Sequence, residues 1–440
     1  MTKITRHDFD IDNLGPAEFA SPLQHVRYAM DAEFMTDDGH RVLFTHSLEK
    51  VHDALDSGSE PATIEHAGAR ERIFFNPSQT IAAVVTCGGL CPGLNDVIRG
   101  LVMTLNYSYG VRTIYGIPYG YEGFIPRHHH VPFHLTPDFV SDLNQSGGSV
   151  LGSSRGPQSK VEIVDFLVEY RINILFVIGG DGTLRGAQDI VTEISKRNLK
   201  ISVVGIPKTI DNDLEFMDKS FGFETAFAEA VRTVRCAHSE AQGYPNGVGL
   251  VKLMGRDSGF IAAFAALAEN TVNYVLIPEV PFQLKGKHGL LSCLEDRLAR
   301  RGHAVVVVAE GAGQHLMQPE GGTDASGNLK YGDIGPFLKK QIETYFKSNG
   351  KEINIKYIDP SYVIRSVPAS PQDAIYCLRL AQNAAHAAMA GKTNMVVGRW
   401  HGHYVNLPMD VVTVRRRKVN PHGDLWVTVL EATGQPPEFK

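Results

Sequence analysis

Short, uninterrupted apolar segments recur along this chain, and two of them run directly into acidic loops. Residues Ile174–Ile178 lead into Gly179-Gly180-Asp181-Gly182, and residues Ile201–Ile206 lead into Lys208-Thr209-Ile210-Asp211-Asn212-Asp213. Strands this apolar are buried on both faces, which is typical of parallel sheets covered by helices. Such sheets bind ligands beyond the carboxyl ends of their strands, where glycine admits phosphate and a carboxylate can hold Mg²⁺. The pattern predicts an α/β fold with a phosphoryl-transfer site.

The same alternation of strand and helix extends over most of the chain. The further predicted strands are Ile81–Thr86, Val272–Ile277 and Ala304–Ala309, and the predicted helices are Leu94–Leu105, Leu184–Ile194 and Phe223–Ala241. At 440 residues the chain exceeds one ordinary core, since domains average roughly 150 residues. We therefore expect two doubly wound lobes with mostly parallel sheets, divided near residue 222.

Composition excludes several classes of protein. A formal net charge of −5 argues against a general surface for nucleic acid or anionic membrane. No segment approaches the roughly 18 consecutive apolar residues of a membrane span. The five cysteines lack metal-site spacing, and the first thirty residues carry acidic groups and no apolar core of a secretory signal. These observations predict reduced thiols and a cytoplasmic location.

Two acidic residues are the candidate reactive groups. Asp181, between glycines, is suited to hold Mg²⁺, although a tight strand-to-helix turn is the simpler structural interpretation. Asp211 is suited to accept the proton of a hydroxyl, with Lys208 and Thr209 beside the transferring phosphate. The alternative for the second segment is an acidic helix cap.

At this point the chain resembles the 6-phosphofructokinase family, over roughly residues 79–410. The resemblance is carried by motifs in the family's order: the Cys87–Asn95 loop, Gly152-Ser153-Ser154-Arg155, the two acidic loops, Val251-Lys252-Leu253-Met254-Gly255-Arg256 and Pro278-Glu279-Val280. It implies an N-terminal extension over residues 1–78. It also implies a nucleotide-binding lobe of residues 79–222 with 366–408, and a fructose 6-phosphate-binding lobe of residues 223–365 with 409–440.

The resemblance implies transfer of the γ-phosphoryl group of Mg-ATP to the 1-hydroxyl of fructose 6-phosphate. The implied catalytic residues are the general base Asp211 with Thr209, Arg256 and Lys208. The implied nucleotide-binding residues are Gly89, Tyr121, Arg155, Gly180, Asp181, Gly182, Thr183 and Gly186, with Asp181 as the magnesium ligand. The implied substrate-binding residues are Thr209, Asp211, Asp213, Met254, Gly255, Arg256, Glu279, Lys356, Tyr362 and Arg365.

Two positions depart from the bacterial pattern. Lys356 stands where bacterial enzymes more often place arginine, and a lysine lacks the bidentate fork for phosphate. The stretch Asn246-Gly247-Val248 lacks the phosphate-binding arginine that a neighbouring subunit contributes in bacterial tetramers. The resemblance still implies an allosteric homo-oligomer, with a tetramer expected.

The residue after Gly-Gly-Asp indicates the phosphoryl donor. An aspartate at that position would crowd and repel the α-phosphate of a nucleotide, whereas Gly182 leaves room, which favours ATP. Lys208 points the other way, because pyrophosphate users also carry lysine there. The alternatives are the same reaction with pyrophosphate, an NAD or lipid kinase that shares Gly-Gly-Asp-Gly, and a non-catalytic regulatory paralogue.

One further segment resembles a nucleotide-binding motif without completing it. Ala390-Gly391-Lys392-Thr393 imitates the end of a nucleotide P-loop, but His386 occupies the place of the required glycine. The segment is therefore predicted to be a helix end.

Overall fold

The computed structural model describes residues 5–24, 35–318, 321–322 and 329–440. Its strands are β1 (Phe19–Ala20), β2 (Arg41–Leu43), β3 (Thr63–His66), β4 (Arg72–Ile73), β5 (Ile81–Thr86), β6 (Thr113–Ile117), β7 (Phe133–His134), β8 (Ile174–Gly179), β9 (Ser202–Pro207), β10 (Gly247–Leu253), β11 (Tyr274–Leu276), β12 (His303–Ala309), β13 (Asn354–Ile358), β14 (Met395–Trp400) and β15 (His403–Pro408).

The α-helices of the same residues are Leu48–Asp56, Leu94–Met103, Pro137–Val140, Lys160–Glu169, Asp181–Lys196, Phe223–Gln242, Phe260–Ala268, Leu290–Arg301, Ile334–Ser348, Val363–Ser366, Pro371–Met389, Met409–Thr413 and Asp424–Thr433. A π-helical turn, Thr104–Tyr109, continues the second of these. None of the helices in the described ranges is long and apolar enough to cross a membrane.

The chain divides into two compact units. The first unit comprises residues 1–209, 214–222 and 368–416, and the second comprises residues 210–213, 223–367 and 417–440. The bounds differ from the predicted lobes in three places, and at the first of these residues 366–367 belong to the second unit. Residues 409–416 belong to the first unit, because helix Met409–Thr413 packs against helix Asp181–Lys196 and the Thr413 carbonyl accepts a hydrogen bond from Arg185. Residues 210–213 belong to the second unit.

The first unit is built on a nine-stranded sheet in the order β2-β3-β15-β14-β9-β8-β5-β6-β7. The central strands β14, β9, β8, β5 and β6 are parallel, and the strands at both edges are antiparallel. The chain passes from β5 to β6 on one side and returns to β8 on the other. The sheet therefore has a topological switch point between β5 and β8, where ligands bind in open α/β sheets.

Local sequence explains why these elements form. All six residues of β8 are buried, as its continuous apolar run predicted. Helix Asp181–Lys196 buries Leu184, Ala187, Ile190, Val191 and Ile194 on one face, which confirms the helical spacing seen in the sequence. The N-terminal segment is not a separate unit, because β2 and β3 extend the sheet through pairing of β3 with β15.

The second unit is built on a four-stranded parallel sheet in the order β11-β12-β10-β13. The sequence analysis did not predict the central strand β10, since glycines interrupt its apolar pattern. Both glycines are needed because helix Phe223–Gln242 approaches the strand closely. A Cβ at Gly247 would lie 1.9 Å from the Ala241 carbonyl oxygen, and one at Gly249 would lie 2.6 Å from that of Ala237.

The two sheets confirm the predicted α/β class with mostly parallel, helix-covered strands. In each unit the central parallel strands end at a common edge, and their carboxyl ends carry the loops that contain the predicted site residues.

Candidate active site

In the first unit, three loops leave the carboxyl ends of β5, β8 and β9. The loop after β5 is held to its neighbours by main-chain bonds: Cys87 N donates to Ile178 O at 3.0 Å, and Gly88 N donates to Ser154 O at 3.1 Å. Lys208 N, after β9, donates to Gly179 O at 3.0 Å. The structure thus brings together the predicted loops of the nucleotide lobe at the switch point of the sheet.

Asp181 is the first residue of helix Asp181–Lys196, directly after the N-cap Gly180. Its side chain is 9% exposed. The carboxylate forms an ion pair with Arg185, one helical turn later, and lies 3.5 Å from Arg416 Nε. The sequence analysis missed both arginines, although the spacing of four residues between Asp181 and Arg185 places them on one helix face. A carboxylate at a helix N-terminus is also stabilised by the helix dipole.

The first turn of this helix rests on Tyr121. The phenol hydroxyl donates to the Thr183 carbonyl at 2.7 Å, and the ring is 7% exposed. A Cβ at Gly186 would lie 2.8 Å from Tyr121 Cε2, so this position needs glycine to admit the ring. Gly179 is required in the same way, since its Cβ would lie 2.3 Å from Thr183 Cβ. Tyr121 and Gly186, both predicted nucleotide-binding residues, therefore pack together and fix the first turn of helix Asp181–Lys196.

Gly182 differs from these packed glycines. It is exposed, and a Cβ added there would meet no atom within 4 Å. Packing does not require glycine at this position. The first turn of the helix therefore has open space at this position.

Lys208 is buried, and its ammonium group donates to the Gly89 carbonyl at 2.5 Å. Gly88, with φ of +88°, brings the loop so close that a Cβ would lie 3.2 Å from Lys208 Nζ. The Thr209 carbonyl accepts a hydrogen bond from Ser220 Oγ at 2.5 Å. The lysine thus places a positive charge beside the loop after β5, at the carboxyl edge of β9.

Arg155 belongs to the same part of the first unit. Its neighbour Ser153 donates to the Gly88 carbonyl at 2.6 Å, which ties the Gly152–Arg155 segment to the loop after β5. The side chain of Arg155 is exposed.

In the second unit, the loop after β10 carries Met254, Gly255 and Arg256. Gly255 has φ of +126°, and a Cβ would lie 2.5 Å from the Ser258 carbonyl oxygen, so the turn requires glycine. The guanidinium of Arg256 stacks on the Tyr331 ring, 4.5 Å from its centroid, and donates to the Leu329 carbonyl. The arginine is therefore held at the edge of the sheet.

Asp211 and Asp213 are attached to this edge by their main chain. Ser258 Oγ donates to the Asp211 carbonyl at 3.0 Å, and Arg417 N donates to the Asp213 carbonyl at 2.8 Å. The structure therefore brings Asp211 to the turn that follows Arg256. Asp181 belongs to the first unit and Asp211 to the second, so their joint action in one reaction stays a prediction.

Glu279 follows β11 at the same edge. Its Oε1 accepts hydrogen bonds from Gly259 N at 3.0 Å and from Val419 N at 2.8 Å. Its Oε2 is buried and has no hydrogen-bond partner within the described part of the chain. Burial raises the pKa of this carboxyl, although the N–H donors of Val419 and Gly259 act in the opposite direction. Oε1 therefore ties together the segments of Gly259 and Val419, while Oε2 can accept a hydrogen bond from a hydroxyl.

Glu310 was missed by the sequence analysis. It directly follows β12, and its N–H donates to the Leu253 carbonyl at 2.9 Å, which places it beside the loop of Met254 and Arg256. Burial raises the pKa of Glu310, while the charges of Lys252, Arg256 and Arg365 act in the opposite direction. The signal was available, because an acidic residue ends the predicted strand Ala304–Ala309.

Lys252 and the loop after β13 complete the edge. The ammonium group of Lys252 lies 2.8 Å from Asp359 Oδ2 and 3.0 Å from Asp333 Oδ1. These two carboxylates raise the pKa of Lys252 despite the opposing effect of its burial, which is the largest single contribution. Arg365 stacks on the exposed Tyr362 ring, 4.8 Å from its centroid.

Lys356 is not brought to this edge. It pairs in register with Gly249, four residues before the end of β10 at Leu253, which is about 13 Å along a parallel strand. Its ammonium group lies over the Tyr244 ring, 4.1 Å from the centroid, and 4.0 Å from Glu240 Oε2. The structure therefore groups Arg365 and Tyr362 with the other predicted substrate residues, and Lys356 apart from them.

Comparisons with known proteins identify the family of the chain. The sequence profile of the Phosphofructokinase family matches residues 81–388. An ATP-dependent 6-phosphofructokinase of Borreliella burgdorferi is 49% identical over 98% of both chains. One of Amycolatopsis methanolica is 47% identical over 98% of this chain and 96% of the relative. The solved pyrophosphate-dependent phosphofructokinase of Marinobacter aquaeolei superposes with a TM-score of 0.65 at 21% identity, covering 82% of this chain and 93% of that chain. That last likeness bears on the fold alone.

Proposed function

This chain belongs to the phosphofructokinase family, and from that premise we propose which of its residues carry out the reaction. The chain catalyses ATP-dependent phosphorylation of fructose 6-phosphate at the 1-hydroxyl, which gives fructose 1,6-bisphosphate, a step of glycolysis. The observation that carries this conclusion is the identity of 49% and 47% to ATP-dependent relatives over nearly the whole chain. The pyrophosphate-dependent neighbours are too distant in sequence to argue for the other donor.

ATP binds to the first unit, at the switch point between β5 and β8. Backbone groups of Gly89, Gly180 and Thr183 line the phosphates, and the positive end of helix Asp181–Lys196 attracts their charge. The absence of a side chain at Gly182 leaves space for the α-phosphate. Arg155 neutralises charge on the nucleotide from the solvent side. Tyr121 and Gly186 are positioning residues, because they fix the first helical turn.

Asp181 is the proposed magnesium ligand. Mg²⁺ commonly keeps several waters and takes one or two carboxylates together with substrate phosphates. No group of three or more acidic, histidine or cysteine side chains in the described ranges could hold a metal by itself, and one carboxylate beside a phosphate site meets this requirement. The ion would neutralise the phosphate oxygens. Arg185 and Arg416 hold the carboxylate of Asp181 in place until then.

Asp211 is the proposed general base in the second unit. It accepts the proton of the sugar 1-hydroxyl, whose oxygen forms a bond to the γ-phosphorus while the bond to the leaving ADP oxygen breaks. Lys208, Thr209 and Arg256 stabilise the charge on the transferring group. Cations already fixed by the protein stabilise such a transition state without the cost of reorganisation.

The sugar is recognised at the carboxyl edge of the second sheet. Asp213, Met254 and Gly255 lie along the loops at this edge, and the carboxylates of Glu279 and Glu310 accept hydrogen bonds from sugar hydroxyls. Glu310 is added to the predicted set because it lies beside the Met254–Arg256 loop. The buried Oε2 of Glu279 has no hydrogen-bond partner within the described residues, so a hydroxyl that donates to it removes the cost of an unsatisfied acceptor.

The 6-phosphate is held by Arg365 and Tyr362. Lys356 lies over the Tyr244 ring, close in sequence to Asn246–Val248, the stretch that corresponds to the one carrying the arginine donated to a neighbouring subunit in bacterial tetramers. We therefore assign Lys356 to the sugar phosphate bound by a second copy of the chain. This assignment requires the homo-oligomer, expected to be a tetramer, and light scattering that shows a monomer at assay concentration would contradict it.

The remaining expectations are that the enzyme is allosteric and cytoplasmic. Both rest on the family resemblance and on composition. They are tested by effector titrations of the purified enzyme and by fractionation of the source cells.

The experiment that tests the function measures fructose 1,6-bisphosphate formation with ATP or pyrophosphate as donor, in the presence of Mg²⁺. We expect turnover with ATP and little with pyrophosphate. The variant Asp211→Asn should lower kcat by about 10²- to 10⁴-fold with a small change in KM, because it removes a general base. Preferential use of pyrophosphate, or a D211N variant with unchanged kcat, would contradict the proposal.

A further inference from the structure

A polar pocket lies within the first unit, away from the loops that follow β5, β8 and β9. It has a volume of about 610 Å³ and is lined by residues 13, 15–17, 35–38, 70–72, 390 and 392. The Lys392 carbonyl accepts a hydrogen bond from Ser202 Oγ at 2.6 Å, and Thr393 Oγ1 accepts one from Val203 N at 3.0 Å. Ser202 and Val203 begin β9. The pocket is therefore at the amino end of that strand, opposite to the end that carries Lys208.

Two buried cations form the wall of this pocket. Arg70 and Lys392 are 7% and 3% exposed. Both pair with the buried Glu65: Arg70 Nη2 lies 2.8 Å from Oε1, and Lys392 Nζ lies 3.2 Å from Oε2. Asn406 also donates to this carboxylate, at 2.8 Å. Two positive charges and one negative charge leave a net charge of +1 to be balanced.

Asp38 supplies the balancing charge. Its Oδ1 lies 3.1 Å from Arg70 Nε and its Oδ2 lies 2.8 Å from Lys392 Nζ. Burial raises the pKa of Asp38, but the hydrogen bonds and charges of Lys392 and Arg70 together outweigh that effect and lower it. Yet 58% of the Asp38 side chain is exposed. A solvated carboxylate on a loop thus completes the coordination of two buried cations.

The other charged groups at the pocket are engaged elsewhere. Asp37, the neighbour of Asp38, accepts hydrogen bonds from the N–H groups of Gly39 and His40 at 2.8 and 2.9 Å. Arg72 donates to the carbonyls of Ala17 and Glu18. Glu71 also lines the pocket, so its rim has both signs of charge.

We propose that this pocket binds a small metabolite through a phosphate or carboxylate group that takes the place of Asp38 between Arg70 and Lys392. Buried ion groups are stable only while their charge is balanced and hydrogen-bonded, and a ligand oxyanion satisfies both cations as the aspartate does. The volume suits a small molecule, since ligand pockets span roughly 300–1,000 Å³. Asp38 can leave because 58% of its side chain is exposed, so the side chain can turn into solvent.

Displacement of Asp38 would release its side chain into solvent. It would also change the charge balance at Lys392, whose carbonyl fixes the start of β9. The pocket is therefore a binding site distinct from the catalytic loops, and its existence does not depend on the assignment of the kinase reaction.

The test compares the full-length wild type with Asp38→Asn and with the matched control Asp37→Asn. Asp38→Asn keeps the shape of the side chain and removes the charge, whereas Asp37→Asn removes a neighbouring charge that does not contact Arg70 or Lys392. Thermal unfolding is followed in sodium phosphate, in sodium acetate and in sodium chloride at equal ionic strength. The acetate series distinguishes a carboxylate site from one that requires phosphate.

We expect the D38N variant to melt below the wild type in chloride and to recover in phosphate or acetate. The phosphate concentration for half-maximal stabilisation should be at least about tenfold lower in D38N than in the wild type, because the tethered carboxylate competes at an effective concentration on the order of millimolar. D37N should behave as the wild type. Equilibrium dialysis should count one more bound phosphate per chain in D38N than in D37N.

Equal stabilisation of all three proteins by phosphate, with equal binding counts, would overturn the proposal. That result would show that phosphate acts elsewhere, for example at the catalytic site, and would leave the kinase assignment intact. If D38N does not fold, Asp38→Glu is the second variant. Glutamate keeps the charge in a poorer geometry for the two cations. The phosphate concentration for half-maximal stabilisation should therefore be lower in D38E than in the wild type. An unchanged concentration would contradict the proposal.

Discussion

Replacement of Gly182 by aspartate isolates the choice of phosphoryl donor. Gly182 is exposed in the first turn of helix Asp181–Lys196, and a Cβ there meets no atom within 4 Å. The substitution therefore adds a charge without a steric cost to the fold. An acidic residue in a first helical turn gains about 0.3–1 kcal/mol from the helix dipole. We expect the Gly182→Asp variant to be at least as stable as the wild type.

The effect on ATP follows from Coulomb's law. Two unit charges about 5 Å apart at an effective dielectric constant of about 20 repel by roughly 3 kcal/mol. Arg185, three residues later and 53% exposed, can pair with the new carboxylate and reduce this repulsion. We therefore expect kcat/KM for ATP to fall by about 10- to 100-fold, since 1.36 kcal/mol corresponds to one factor of ten.

The assay measures kcat/KM for ATP at saturating fructose 6-phosphate in the Gly182→Asp variant and in a control variant. The matched control is Gly182→Asn, which has nearly the same shape as aspartate and no charge. Its loss of kcat/KM reports crowding alone, and the difference between the two variants reports the charge. Pyrophosphate should be tested in parallel, because it has no α-phosphate to be repelled at this position.

The reasoning is refuted if the aspartate variant keeps the ATP kinetics of the wild type. Equal losses in the aspartate and asparagine variants would show that space, and not charge, decides the donor. Calorimetric or fluorimetric melting of both variants checks that neither loss reflects unfolding.

Three further predictions follow from the geometry. Glu310→Gln should raise KM for fructose 6-phosphate by about tenfold with a smaller change in kcat, because a charged hydrogen bond to a hydroxyl contributes roughly 1.5–3 kcal/mol; unchanged steady-state kinetics would remove Glu310 from the site. Gly186→Ala places a Cβ 2.8 Å from Tyr121 Cε2 and should destabilise the protein by about 1–3 kcal/mol. The control Gly182→Ala in the same helix should be neutral or stabilising. Urea unfolding that ranks the two variants the other way would contradict this packing argument. Burial and the charge of Arg70 lower the pKa of His386 to about 4, whereas in the unfolded chain this histidine binds a proton near pH 6.5. Because the unfolded state then binds more protons than the folded state, the free energy of unfolding should fall by about 2 kcal/mol between pH 7 and pH 5. A His386→Gln variant with the same pH dependence as the wild type would show that another group is responsible.

The order of strands and helices was readable from the sequence where apolar runs are continuous. Strand β5 was predicted at its exact bounds, and β8, β9 and β12 to within one residue at each end. The end of helix Pro371–Met389 was also predicted, and Gly391 follows it with φ of +84°. Buried parallel strands impose an apolar requirement on every residue, so their signal is local and strong.

Strands with mixed composition were not readable in this way. Gly247–Leu253 is the centre of its sheet, yet its glycines are explained only by the backbone of helix Phe223–Gln242 lying against it. The short antiparallel strands β2 and β3 carry no distinctive pattern. Their place in the nine-stranded sheet follows from pairing with β15, more than 330 residues away along the chain.

The candidate site shows the same division. The sequence by itself determined the acidic loops, their glycines and the family, because phosphate binding and a close backbone approach restrict the residue type at single positions. Only the tertiary structure decided that Glu310 joins Arg256 at one edge, that Lys356 lies apart from Arg365, and that Asp38 balances the charges of two buried cations. These relations depend on distances between segments remote in sequence, and such distances are set by strand register and packing, which no local pattern of residues encodes.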